Sequence, residues 1–372
     1  MKRILQLLSL LTAIFIAGIS GSYAFELNGF ADVSFIKSTE GADEFRNGNF
    51  AFGVLDLYVA QTLDDIEILS ELIIEEGNEL DLERLTIGYT FSDALRLRAG
   101  RFHTPLGFWN TSYHHGVQIQ PTIERPEFLR FDDDGGILTT HFVGAYLSGR
   151  VKTAAGAVEY GAMIGNGPKV TAPGEVEEGS ANALQPNNTS DNSIGKAVAF
   201  NVAVSPAAVA GLKIGISAHK AEIKSDGTVI DTDNADSDND LTTGADSVNV
   251  DQTILGTAFM YSTGNLSLSG EYFTIINSDE VTSKDYDVNA YYGLITYSLM
   301  DKWIPYVMYE TLSVEEADPY VVSLGSVDTE KLTAGLRYNI SYSSSIKGEY
   351  RDIIDKDGKD WNEFAVQWAL AF

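Results

Sequence analysis

The 372-residue chain has no cysteine. Disulfides and thiolate metal sites are excluded together, and a chain exported to an oxidising compartment runs no risk of wrong pairing. Positive charge is scarce: 25 Lys+Arg stand against 53 Asp+Glu, a formal net charge of −28. Nucleic-acid binders need a basic footprint, so that class is excluded. Neither a G-x-S-x-G elbow nor an H-E-x-x-H helix occurs, and no enzyme is expected. A single long apolar run is present, Ile4 to Ile19. It is shorter than the ~20 residues a spanning helix needs.

That run has the character of an export leader. Lys2-Arg3 precedes it, and Ser22-Tyr23-Ala24 offers small residues at the −3 and −1 positions. Residues 1–24 are therefore expected to be a cleaved signal peptide, with the mature chain running from Phe25 to Phe372. Losing Lys2 and Arg3 with the leader takes the net charge from −28 to −30. An excess of this size keeps a secreted chain soluble before it inserts.

Gly 34, Tyr 18 and Phe 18 are plentiful, as tight turns and aromatic girdles require. The segment from Trp361 to Phe372 alternates strictly. Asn362, Phe364, Val366, Trp368, Leu370 and Phe372 share one face, and Trp361, Glu363, Ala365, Gln367, Ala369 and Ala371 share the other. One face suits lipid and the other suits water. Such a strand is stable at membrane depth only in a closed barrel, because an open edge would leave backbone groups unpaired in hydrocarbon. A final strand ending in Phe resembles the last strand of bacterial outer-membrane barrels.

Period-two segments recur at 25–37, 50–63, 66–76, 79–91, 94–104, 138–151, 155–165, 197–206, 211–223, 252–263, 265–278, 286–300, 303–313, 329–342, 345–355 and 361–372. The count is sixteen, and even, as bacterial single-chain barrels require. Connections between them alternate short and long. The expected fold is all-β: a 16-stranded antiparallel transmembrane β-barrel over 25–372, with short periplasmic turns and long extracellular loops. Eight strands already fill their interior with side chains, so sixteen leave an aqueous lumen. Strand one begins almost at the mature N-terminus, which leaves no room for the plug of an energised receptor. In 329–342 the alternation sends Leu332, Leu336 and Ile340 to lipid, and Lys331, Thr333 and Arg337 to the lumen. In 345–355 it sends Ile346 and Tyr350 out, and Lys347, Glu349 and Arg351 in. A charge on the lipid face at the midplane would cost roughly 2–4 kcal/mol.

The longest connection is 105–137, and it is not low in complexity. Phe108, Trp109, Tyr113, Phe128 and Phe131 give it enough apolar surface to fold against the inner wall. It resembles the third loop of general porins, which folds inward and narrows the pore. That resemblance implies a transverse field at the constriction. Arg84, Arg96 and Arg98 would supply a basic wall, and Glu124, Glu127, Asp132, Asp133 and Asp134 an acidic loop. The plainer arrangement pairs those arginines with Glu67 and Glu71 on strand three.

The stretch Leu97-Arg98-Ala99-Gly100-Arg101-Phe102-His103-Thr104-Pro105-Leu106-Gly107 resembles the G-Q-F-K-x-P-F-G stretch of the phosphate-selective porin O and P family. The opening Leu27-Asn28-Gly29-Phe30-Ala31-Asp32 is also similar to first strands of that group. His103 stands where the family motif commonly has Lys, and the external loops are acidic, so phosphate binding is not carried over.

Four of the five histidines, His103, His114, His115 and His141, lie in or beside this loop. Paired imidazoles near carboxylates suit Zn²⁺, Cu²⁺ or Ni²⁺. Adjacent histidines on an extended loop tend to diverge, however, and no third ligand is fixed by spacing, so plain pore lining or loop packing is the preferred reading. Asp231 to Asp240 is rich in Asp but lacks the turn Gly and closing Glu of an EF-hand, so it is read as a solvated external loop.

The expected function is that of an outer-membrane porin, a passive diffusion channel for small hydrophilic solutes and ions, with no cofactor. The alternatives are a substrate-selective channel for a metal ion or a specific anion, a structural or adhesive barrel, and the sheath of an electron-transfer conduit. Outer-membrane lipid and lipopolysaccharide are the expected surroundings, and likeness to general porins implies a homotrimer. The acidic external loops predict a weak cation preference.

Overall fold

The computed structural model describes residues 27–39, 46–74, 80–113, 115–130, 136–170, 184–185, 195–224, 249–324, 326–355 and 359–372. The expected leader, Phe131 to Asp134, His114 and the Asp-rich stretch 231–240 lie outside the described residues.

Sixteen strands close into a barrel. They are β1 (Leu27–Ser38), β2 (Asn49–Leu63), β3 (Ile66–Ile74), β4 (Leu80–Ser92), β5 (Leu95–His103), β6 (His141–Thr153), β7 (Gly156–Gly165), β8 (Ala197–Pro206), β9 (Leu212–Lys224), β10 (Asn249–Thr263), β11 (Leu266–Asp279), β12 (Lys284–Tyr297), β13 (Trp303–Ser313), β14 (Thr329–Ser341), β15 (Ser344–Asp355) and β16 (Lys359–Ala371). Each pairs antiparallel with its sequence neighbours, and β16 returns to β1. At that seam Gly29 and Phe372 exchange both backbone hydrogen bonds, 2.9 and 3.0 Å. No edge is left unpaired, which is what a sheet in hydrocarbon requires.

Short turns such as Asp64-Asp65, Asp93-Ala94 and Gly264-Asn265 sit at one end of the barrel, and the long connections at the other. Leu332, Leu336, Ile346, Tyr350, Phe364 and Trp368 are exposed on the outer surface, while Lys331, Lys347, Glu349 and Arg351 are buried inside. Outward tyrosines 272, 291 and 309 form a chain of ring contacts at 6.4 and 6.2 Å. Nearer the turns, Trp303 meets Tyr338 at 4.4 Å. Outward aromatic rings of this kind form the girdles that flank the lipid-facing band of membrane barrels.

A barrel this wide has no core unless something enters it. Here the chain between β5 and β6 does. It contains a short helix, α1 (Trp109–Tyr113), and a 3-10 turn, Glu127–Leu129. Leu106, Trp109, Phe128, Leu129, Ile137 and Leu138 form one buried cluster with Phe273, Tyr292 and Tyr306 of the wall. Burying a side chain such as Phe128 or Leu129 contributes about 1.5–3 kcal/mol. A second short helix, α2 (Pro319–Leu324), lies in the connection between β13 and β14 and joins the same cluster through Tyr320, Val321 and Leu324.

Candidate functional site

The loop between β5 and β6 leaves and rejoins the wall at one clamped point. The Thr104 amide donates to the Thr140 carbonyl at 2.8 Å. The Asn110 side chain then donates to both the Thr104 and Thr140 carbonyls, at 2.9 and 2.8 Å. Gly107 turns the chain inward at φ +69°. A Cβ there would meet the Glu271 carboxylate at 2.0 Å, so glycine is demanded twice, by conformation and by space. Beyond it the Phe108 and Trp109 amides donate to Glu271 Oε1 on β11, at 2.8 and 2.5 Å.

From α1 onward the loop is fastened to the wall formed by β11–β15. Lys347 Nζ donates to the Val117 and Thr122 carbonyls at 2.6 and 2.9 Å. The Ile123 amide donates to Glu349 at 2.6 Å, and the Glu127 amide to Glu310 at 2.8 Å. Glu124 meets Arg351 at 2.5 Å, Arg130 at 3.2 Å and Lys331 at 3.5 Å. Glu127 meets Arg130 at 3.1 Å and Lys331 at 3.4 Å. Burial alone would raise the Glu124 carboxyl. Arg351, Lys331 and Arg130 outweigh it and hold the group well below the usual carboxylate range.

A cavity of about 630 Å³ lies between the first arm of the loop and strands β3 to β10. Arg84, Arg96 and Arg98 line it; Glu124 and Glu127 do not. The cavity therefore holds the predicted basic wall, while the described acids of the loop face the other way, into the cations of β14 and β15. Arg84 is paired with Glu71 on β3. Arg96 and Arg98 make no ion pair among the described residues, and their Nε atoms are buried without a hydrogen-bond partner. Arg98 lies over the Tyr146 ring at 5.3 Å.

Three further cations on the same lining, Arg150, Lys152 and Lys213, were not singled out from sequence. Glu159 takes Lys213 at 2.7 Å and Arg150 at 3.5 Å. Asp93 is the other acid on the lining. Six cations against two anions leave this lining net positive in a chain whose total charge is −28.

Three of the four candidate histidines come together at the clamped point, around a residue the sequence did not suggest. His103 ends β5 and is paired in register with His141, which begins β6. Both lie beside Glu83 of β4, as does His115 of the loop, whose Nε2 is 2.8 Å from Glu83 Oε1. Glu83 points inward because of a bulge. Glu71 pairs with Arg84 and Leu72 with Leu82, so Glu83 is the extra residue. The bulge reverses the alternation, and Glu83 and Arg84 both face the lumen. Strand periodicity could not have found it.

The sequence matches the phosphate-selective porin O and P family over residues 67–320. No curated protein matches it in sequence. Its fold is similar to that of an anion-selective porin from Comamonas acidovorans, with 14% identity, a TM-score of 0.63 and coverage of 94% of this chain and 99% of the other. The in-vitro folded OmpT of Vibrio cholerae, in its trimer form, gives 11% identity and a TM-score of 0.58, with 94% and 99% covered. The outer membrane channel DcaP of Acinetobacter baumannii gives 11% identity and a TM-score of 0.60, with 94% and 97% covered. A closed 16-stranded barrel, a loop folded into its lumen and a family match over two thirds of the sequence converge: the chain belongs to the phosphate-selective porin O and P family and is a diffusion channel of the bacterial outer membrane.

Proposed function

We propose that the channel admits small hydrophilic solutes and favours small anions over cations. The observation that carries this is the net positive lining, with Arg96 and Arg98 half-buried and without an ion pair among the described residues. A cation inside a low-dielectric wall is screened far less than one at the surface. The lumen should therefore outweigh the acidic exterior in deciding which ion passes, the reverse of what overall charge suggests. Constriction by the loop, with Arg84, Arg96 and Arg98 at its open side, is part of the same reading. So are removal of residues 1–24 on export and assembly as a homotrimer in outer-membrane lipid and lipopolysaccharide.

The test is reversal potential across a planar bilayer in a KCl gradient. Anion preference at low salt, shrinking toward 1 M as the Debye length falls to about 3 Å, is the expected result. Arg96→Ala with Arg98→Ala should move the reversal potential toward the cation side. Cation preference in the unaltered channel would sink the proposal. Absence of any current would favour a structural barrel.

A further inference from the structure

We infer that Glu83, His103, His115 and His141 form a binding site for one divalent transition-metal ion, with Zn²⁺ the best fit, that staples the constriction loop to the barrel wall. The ligand atoms of Glu83, His103 and His141 all lie within 4.8 Å of one another. His115 adds a fourth, 2.8 Å from the Glu83 carboxylate. In a tetrahedral site with bonds of about 2.0–2.2 Å, neighbouring ligand atoms stand roughly 3.5 Å apart. Glu83, His103 and His141 stand near that spacing, and His115 joins them through the shared Glu83 oxygen.

The convergence is unusual in its chemistry. The Nε2 atoms of His103, His115 and His141 all approach one oxygen, Glu83 Oε1. That oxygen has two lone pairs to offer, fewer than the three nitrogens gathered around it. A cation seated between them turns three crowded nitrogens into three ligands and makes the carboxylate the fourth. Imidazole with one carboxylate is a donor set for Zn²⁺, Ni²⁺ or Cu²⁺; Ca²⁺ and Mg²⁺ want oxygen throughout.

The surroundings hold the set in place. All four residues are buried. Arg101 Nε donates to the Glu83 carbonyl at 2.9 Å, and its Nη2 stands 4.0 Å from Oε2. Arg101 thus occupies the far side of the carboxylate and leaves Oε1 to the imidazoles, the role of an outer-shell partner. Two backbone irregularities serve the same cluster. The β4 bulge turns Glu83 inward, and His115 sits at φ +52°, a conformation uncommon for any residue but glycine. Such irregularities gather at functional sites because the surrounding structure must hold them there. The three wall ligands come from adjacent strands and the fourth from the loop, so a bound ion would tie the loop's inward turn to the point where it leaves and rejoins the barrel.

The experiment uses the untagged full chain, folded in detergent, stripped with chelator and dialysed against Co²⁺ or Zn²⁺. One equivalent per chain is expected, with visible absorption for Co²⁺ at the intensity of a four-coordinate site. The same equivalent should persist in His219→Ala, which removes a buried histidine outside the cluster. It should be lost in His103→Ala with His141→Ala, folded material being selected by heat-modifiable migration. If that double variant does not fold, His115→Ala should still shift the Co²⁺ bands, because it alters a ligand on the loop and leaves the wall intact. Wild-type binding no greater than the double variant's, or Co²⁺ bands unmoved by His115→Ala, would overturn the inference.

Discussion

Arg351 Nη1 lies 2.5 Å from Glu124 Oε1, joining β15 to a loop residue 227 positions away. Arg351 is wholly buried and also holds Glu349 and Glu363, at 2.7 and 3.1 Å. Removing it would leave three carboxylates facing one another. Breaking a buried pair in this way costs about 3–5 kcal/mol. Arg351→Met should therefore lower the denaturant midpoint of the folded barrel in detergent. An unchanged midpoint would show that the network contributes little.

Gly107 gives a sharper test of the loop. Gly107→Val must adopt φ +69° and displace both the Glu271 carboxylate and the Phe273 ring. The loop's first arm should detach from β11 while the strands, which carry the backbone pairing, still close. Single-channel conductance should rise, as it should on deletion of 112–131. Conductance equal to wild type in both variants would place the loop outside the conducting path.

Asp318 predicts a pH dependence at the external face. It lies outside the strands, wholly buried, and accepts from the Tyr320 amide at 2.9 Å and from Asn277 at 2.6 Å. Burial pushes its carboxyl up to about 6, against the opposing pull of those hydrogen bonds. A raised acid contributes stability that is fully present below its unfolded value and lost as pH rises through the folded one. Hydrogen-exchange protection of α2 should thus be greatest near pH 4 and fall between pH 4 and about 6. Asp318→Asn should flatten that fall. The same slope in both proteins would assign it to another group.

The seam between β1 and β16 bears on assembly. Phe372 shares both backbone bonds with Gly29, and its ring occupies the space a Gly29 side chain would need. Deleting Phe372 removes one pair from a ladder that otherwise runs from Phe30 to Ser38. Outer-membrane levels should drop more than the denaturant midpoint of the refolded barrel. Equal surface levels of truncated and intact chains would argue against a recognition role for the terminal aromatic.

The barrel was legible because its physics is local. Lipid on one face and water on the other impose period two, so Lys331, Lys347 and Arg351 could be sent inward from sequence alone. The loop's inward path was legible in kind, from aromatics such as Trp109 and Phe128 that need a wall. Its partners were not. Glu124 meets Arg351, rather than facing Arg96 and Arg98, because the loop crosses to β11–β15, and nothing in its own residues specifies how far it reaches. The net positive lining was hidden for the same reason. Glu83 was hidden differently: a bulge shifts β4 by one residue, and a period-two reading has no means of detecting an inserted unit.

The ion-paired loop also determines how the channel answers the electric field of the membrane. From Pro105 to Arg130 the formal charges are Glu124, Arg125, Glu127 and Arg130, which sum to zero with the histidines neutral. A single uncompensated charge carried across the full membrane gains about 2.3 kcal/mol per 100 mV. This segment, moving as a body, gains none. The field exerts no net force on this ion-paired segment as a whole. With Asp132, Asp133 and Asp134 the whole connection 105–137 carries a formal −3, so any force the field exerts on it acts through the three residues that follow the ion-paired segment.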